Sequence, residues 1–174
     1  MALSQAEFNR LAADHAPALY RMAYRMVSDR HDAEDVVQDT FRSVWTSRRR
    51  YEPGLGERAW LVAILRRRVI DRWRKRSPLA VFAGEGALEV ASPDNNPPDA
   101  SFSDEMQQAL DHLPAELRET LLLVVVAELT HQEAADELGV PIGTVLSRVS
   151  RARQRMREYL TAMARRADRT RNIH

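Results

Sequence analysis

The stretch from Thr130 to Met156, THQEAADELGVPIGTVLSRVSRARQRM, leaves the chain few folds to choose from. Thr130 with Glu133 is a capping box, in which each side chain satisfies a backbone N–H that the new helix would leave unpaired. Ala134, Ala135 and Leu138 give that helix a small inner face, and Gly139 is the left-handed residue that ends it. Pro141 can open a second helix, since its φ is already helical and it has no N–H to waste. There Ile142, Val145, Val149, Ala152 and Met156 recur at steps of three and four, which predicts one buried stripe. Thr144, Ser147, Arg148, Arg151 and Arg155 are left facing outward. Two short helices joined by a Gly-containing turn, with small polar and Arg side chains early on the second, form the helix-turn-helix arrangement for the DNA major groove. An ordinary helical hairpin with a solvated basic face is the competing reading.

Charge supports a nucleic-acid partner. The formal net charge is only +1, yet residues 141–174 hold nine basic and two acidic side chains, residues 104–140 one and nine, and residues 1–76 sixteen and ten. Positive charge gathered at two places suits a polyanion touched twice. Lys75 is the only lysine, so arginine forks, which match phosphates and guanine edges, carry that charge. Zero cysteines exclude disulfides and a thiolate zinc site within the chain. The longest apolar run, Leu121 to Ala127, is far short of a membrane span, and no basic segment precedes an apolar core at the N-terminus. The expectation is a cytoplasmic protein.

In the first half, Ser4 and Glu7 form another capping box, so a helix begins near residue 5. Leu19, Met22, Ala23, Met26 and Val27 continue its apolar face past Pro17, where a kink or break is expected. Ser28 to Arg30 form a turn. Asp32, Glu34 and Asp35 then crowd the start of the next helix, as partners of its dipole rather than as a Mg²⁺ site. Ala33, Val36, Val37, Thr40, Phe41, Val44 and Trp45 face a core, and Asp35, Gln38, Asp39 and Arg42 look outward. YEPGLGE, Tyr51 to Glu57, is a Pro/Gly loop; its glycines lack the strand and spacing of a nucleotide fingerprint. From Ala59 to Arg76, Trp60, Leu61, Ile64, Leu65, Val69 and Trp73 pack inward. Arg66, Arg67, Arg68, Arg72, Arg74, Lys75 and Arg76 make a basic flank. Cations for phosphates beside rings for unstacked bases suit a single-strand surface; a solvated basic helix with core tryptophans fits nearly as well.

Residues 77–103 contain four prolines, two glycines, four acids and no basic residue, the composition of a linker. A flexible linker of that length spans roughly 30 Å relaxed and about 90 Å at full stretch. A second domain starts near Asp104, with Met106, Ala109, Leu110 and Leu113 inward. Pro114 opens a longer helix whose LLLVVVAEL run is read as helix rather than strand, buried under the helix-turn-helix. The fold class is all-α: two small helical domains, 1–76 and 104–164, joined by a flexible acidic linker, with a fraying basic tail at 165–174. Scattered histidines and the lack of a nucleophile elbow or Walker loop argue against an enzyme, and no cofactor is expected.

HDAEDVVQDTFRSVW, YEPGLGERAWL, a basic helix with RWRKR, an acidic linker, LPAELRETLLL and LTHQEAADELGVPIGTVLSRVSRAR follow one another in an order that resembles a compact bacterial sigma factor of the extracytoplasmic-function (ECF) type, over nearly the whole chain. The resemblance implies a monomeric subunit that binds core RNA polymerase and promoter DNA, as duplex and as melted single strand. By position it assigns polymerase binding to Asp35, Gln38, Asp39 and Arg42. It places the minus-ten element with the YEPGLGE loop, Trp60, Arg66, Arg67, Arg68, Arg72 and Arg74. The minus-thirty-five element falls to Thr144, Leu146, Ser147, Arg148, Arg151 and Arg155. The acidic linker matches the segment that threads the polymerase near its active-site and RNA-exit channels. Control by an anti-sigma factor that holds the domains together is also implied, and the linker's relaxed span penalises neither a compact nor an extended chain. Two departures stand out: Arg67 replaces an asparagine common at that place, and Leu146 replaces a lysine, reading as a residue that packs rather than one that meets a thymine methyl. An operator-binding, dimeric one-component regulator is the alternative.

Overall fold

The computed structural model describes residues 3–51, 56–76 and 104–171. Every regular element among them is helical: α1 Gln5–Val27, α2 Arg30–Thr46, a 3₁₀ turn Arg48–Arg50, α3 Glu57–Arg76, α4 Asp104–Asp111, α5 Ala115–Val125, α6 His131–Leu138 and α7 Ile142–Arg171. The expected linker, residues 52–55 of the loop and the end of the tail lie outside the described residues.

Local chemistry sets most of the helix ends. Ser4 and Thr130 are N-caps, and each closes its capping box, with Glu7 and Glu133 reaching back to the cap N–H at 2.8 Å. Asp29 caps α2 by accepting from the Asp32 N–H at 2.8 Å. Gly139 ends α6 at φ +65°, a conformation that costs an L side chain. Pro17 does not break α1, which is continuous from Gln5 to Val27. An interior proline forfeits one hydrogen bond and costs about 3 kcal/mol. Burying Leu11, Leu19, Met22 and Met26 on that helix more than offsets it, at about 1.5–3 kcal/mol each.

α1, α2 and α3 pack on one another through Met22, Ala33, Val36, Val44, Leu61, Leu65 and Val69, all at most 2% exposed. In the second domain α5, α6 and α4 surround α7. Leu122, Leu123, Val145 and Ala152 form the centre, so the LLLVVV run is helix up to Val125. The stripe predicted on α7 begins at Val145, because Ile142 is 43% exposed. A helix's first turn can reach past the helices it packs on, and periodicity alone overstates burial there. The expected tail is instead a continuation of α7 to Arg171. Before that extension, the Tyr159 ring lies 4.3 Å from that of His112 on the segment after α4, and Leu160 packs against the core.

The two domains touch directly. Arg25, only 2% exposed, donates to Gln107 at 2.9 Å, and Gln107 donates in turn to Ser28 at 3.0 Å. Apolar atoms join the seam: Met26 and Trp73 of the first domain and Leu122 of the second line a cavity of about 100 Å³.

Candidate functional site

The helix-turn-helix is α6, the Gly139 turn and α7. Ser147 and Arg151 are exposed on the early part of α7, with Arg151 Nη2 donating to Ser147 Oγ at 3.1 Å, so the fork is held close to the helix start. Arg155 is exposed one turn on, and Thr144 is half-buried. Arg148 does something else. Its side chain is only 17% exposed and donates to Glu116 of α5 at 2.9 Å, bracing α7 on the helix beneath it. Leu146 does not pack as the sequence reading favoured: it is 50% exposed. Together with His131, Ser150, Arg153 and Arg157 it borders an open groove of about 690 Å³. Ser150, Arg153 and Arg157 were not among the sequence candidates, although their spacing from Leu146 is helical.

In the first domain, Asp35, Gln38 and Arg42 are exposed along α2, and Arg42 donates to Asp39 at 2.9 Å. Beside them lies an open apolar groove walled by Phe8, Val37, Phe41 and Trp45, where Phe8 meets Trp45 edge-on at 5.1 Å. An apolar floor with a carboxylate and amide rim suits a partner helix.

The basic flank of α3 separates into committed and open arginines. Arg72 Nη2 bonds Asp32 at 2.5 Å and Asp35 at 3.2 Å. These contacts, the Asp32 bond first, raise its pKa against a smaller desolvation effect. Asp32 is thus a buried ion-pair partner as well as a helix-start acid. Arg66 bonds Glu119 at 2.6 Å and Glu137 at 3.4 Å, both in the second domain. Arg68 pairs with Asp71 at 3.3 Å within its own helix. Among the described residues Arg67 and Arg74 are exposed and have no carboxylate partner.

Arg67 and Arg68 line an open cleft of about 470 Å³ with Ile64 of α3, Arg42, Ser43 and Thr46 of α2, and Ser47 and Arg50 just beyond it. Ser43, Thr46 and Ser47 donate their hydroxyl protons to carbonyls one turn back, at 2.7, 2.9 and 2.7 Å. Their lone pairs therefore remain as acceptors beside arginine donors. In the first turn of α3, outside the lining of this cleft, Trp60 sits 5.3 Å from Tyr51, whose hydroxyl donates to Glu57. That bond, with desolvation second, pushes the phenol up to about 12, so it stays neutral. Sequence reasoning missed the α2 side of this cleft, because Ser and Thr late on a helix give no pattern of their own. No cluster of three or more metal-ligating side chains is formed among the described residues.

Residues 11–78 match the sigma-70 region 2 family and residues 103–156 the sigma-70 region 4 family. The chain is 32% identical over 158 residues to the RNA polymerase sigma factor CarQ of Myxococcus xanthus, covering 90% of this chain and 91% of that one. It belongs to the ECF sigma factors. It is also 38% identical to the ECF sigma factor SigE of Mycolicibacterium smegmatis over 88% of its own length, and spans 61% of that longer relative. Among solved structures, the sigma factor RpoE of Bartonella quintana, crystallised with the anti-sigma factor NepR, superposes with a TM-score of 0.77 at 32% identity, over 89% of this chain and 97% of that one. As an ECF sigma factor, the chain works with RNA polymerase in promoter recognition, and the operator-binding regulator is set aside.

Proposed function

We propose how the work of this sigma factor is divided among its surfaces. The α2 face with Asp35, Gln38, Asp39 and Arg42, and the apolar groove beside it, receives a coiled coil of the largest polymerase subunit. The cleft between α2 and α3 takes an unstacked base of the melted minus-ten strand, with Arg67, Arg68 and Arg50 on the phosphates or base edge and Trp60, one turn before Ile64, available to the same strand. Arg74 extends that basic surface, while Arg66 and Arg72 join it only when they leave their present carboxylates. The exposed face of α7, with Ser147, Arg151 and Arg155, reads the minus-thirty-five duplex, and Leu146 and Thr144 present methyl groups suited to thymine. The chain performs no catalysis itself, acts in the cytoplasm as a monomer, and is held inactive by an anti-sigma factor, the kind of partner seen with its Bartonella relative.

The observation that carries this division is the contrast between arginines that are engaged and arginines that are open. Arg151 meets only its own helix, whereas Arg148 is spent on Glu116. Arg151→Ala is therefore expected to weaken binding of polymerase holoenzyme to the upstream element by about 1–3 kcal/mol and to relax selection at one base pair. Arg148→Ala is expected to leave that selection intact and to lower the melting temperature instead. Competition binding with a set of single-base promoter variants reads the first effect and thermal unfolding the second. Equal loss of base selection in both variants contradicts the division.

A further inference from the structure

The cleft between α2 and α3 has two walls of opposite hydrogen-bonding sense. On the α2 side Ser43, Thr46 and Ser47 stand three and four residues apart, which puts their hydroxyls on one face of the helix. Each proton is already given to a carbonyl one turn back, Ser43 to Asp39 at 2.7 Å, Thr46 to Arg42 at 2.9 Å and Ser47 to Ser43 at 2.7 Å. These three hydroxyls therefore offer lone pairs and no protons. They also lie in and just past the last turn of α2, where the helix dipole is negative, so the positive end of an N–H is favoured there over another oxygen. Arg42, a donor on the same helix, is engaged by Asp39 at 2.9 Å. The α3 side carries guanidinium groups, which only donate. Arg68 pairs with Asp71 through Nη1 at 3.3 Å, while its buried Nε–H has no hydrogen-bond partner among the described residues. An unused donor and three sets of unused lone pairs thus belong to the lining of one space of about 470 Å³, to which Ile64 adds an apolar surface.

Resting on the reading of this cleft as the seat of an unstacked base, we propose that Ser43, Thr46 and Ser47 determine which base is taken, selecting one with an exocyclic amino group beside an unprotonated ring nitrogen. Cytosine and adenine both have that edge, an amino donor next to a ring acceptor. The amino group meets the hydroxyl lone pairs, and the ring nitrogen meets the spare donor of Arg68. Thymine and guanine present the reverse, a carbonyl oxygen next to a ring N–H. In this cleft their oxygen faces lone pairs and their N–H faces a guanidinium. A hydroxyl can turn its proton to that oxygen only by abandoning the carbonyl bond it now makes. A mismatch thus sets like against like, which discriminates more than a missing bond does. The sugar-phosphate is left to Arg67 and Arg50, whose forks suit a phosphate whatever base it carries.

Binding of short strands to the full chain tests this. The probes are fluorescent single strands of about ten nucleotides, abasic at every position but the central one, which carries adenine, cytosine, guanine or thymine. The adenine and cytosine probes are expected to bind about 5- to 150-fold more tightly than the guanine and thymine probes, the discrimination given by one paired contact to a base edge. Ser43→Ala, Thr46→Val and Ser47→Ala together remove the acceptors. Each hydroxyl bonds within its own helix turn, so circular dichroism is expected to show the parent's helix content. In that variant the four probes are expected to bind alike. Thr46→Val alone, at an exposed position, is expected to lose part of the preference, whereas Thr46→Ser keeps the parent's order. Arg67→Ala is expected to weaken all four probes by a similar factor, as loss of a phosphate contact does. A triple variant that still prefers adenine and cytosine overturns the assignment of selectivity to the hydroxyls. So does a parent that binds all four alike, or that prefers guanine or thymine, while Arg67→Ala weakens every probe; the cleft then holds a strand without choosing its base in this way. If Arg67→Ala binds every probe as well as the parent, the strand lies elsewhere and the reading of the cleft fails along with the proposal.

Discussion

Leu123→Ala is expected to lower the stability of the second domain by about 2–5 kcal/mol. Leu123 is fully buried, and its carbonyl accepts from the Leu129 N–H at 3.1 Å as the chain leaves α5 for α6. Truncation removes apolar contacts and leaves a cavity beneath α7, in a domain too small to spread the loss. Since whole-domain stabilities are about 5–15 kcal/mol, a large part of the margin would go. Urea unfolding followed by circular dichroism checks it. Val125→Ala, by contrast, changes a residue 44% exposed on the same helix, and a shift below about 0.5 kcal/mol is expected. Comparable shifts in both variants would mean that α5 is not buried on the side described.

Asp32→Ala is expected to cost the first domain about 2–4 kcal/mol, below the range for fully buried pairs because the Arg72 side chain still reaches water at 25% exposure. Asp32 is 3% exposed and joins the start of α2 to the far end of α3. Removing it leaves the guanidinium partly buried with, among the described residues, Asp35 as its remaining carboxylate partner, at 3.2 Å. Asp35→Ala, on the exposed side of the same arginine, is expected to cost under about 1 kcal/mol of stability and to weaken polymerase binding. Thermal unfolding and a polymerase pull-down separate the two effects. A stable Asp32→Ala protein would show that the pair contributes little to holding α2 on α3.

The helix-turn-helix and the helix starts were legible because their determinants are local. Capping boxes act over three residues, and Gly139 and Pro141 act on their own backbone, so Thr130 to Met156 could be placed from the sequence. The same holds for the open face of α2, where Asp35, Gln38 and Arg42 fall between residues of a regular apolar pattern. What failed needed tertiary knowledge. At Pro17 a kink or break is expected; the helix is not broken there, because packing of the whole helix outweighs one local defect. Leu146 was expected to pack, and only the arrangement of α5 and α6 around α7 leaves it exposed. Asp32 looked like one of three similar acids, and its burial depends on Arg72, forty residues away. The partners of Arg66 lie 53 and 71 residues away in another domain, and no periodicity within α3 could mark it as different from Arg67.

This ECF sigma factor is expected to confer promoter specificity only through RNA polymerase. Run-off transcription from a pool of genomic promoter fragments, with core enzyme alone and with the purified chain added, measures this. Discrete transcripts that depend on the added chain are expected, lost when Asp35, Gln38 and Asp39 are replaced together by alanine in a variant that still folds, together with weak duplex binding by the chain in the absence of polymerase. Tight sequence-specific duplex binding by the chain alone, with no new transcript when core enzyme is supplied, would contradict it.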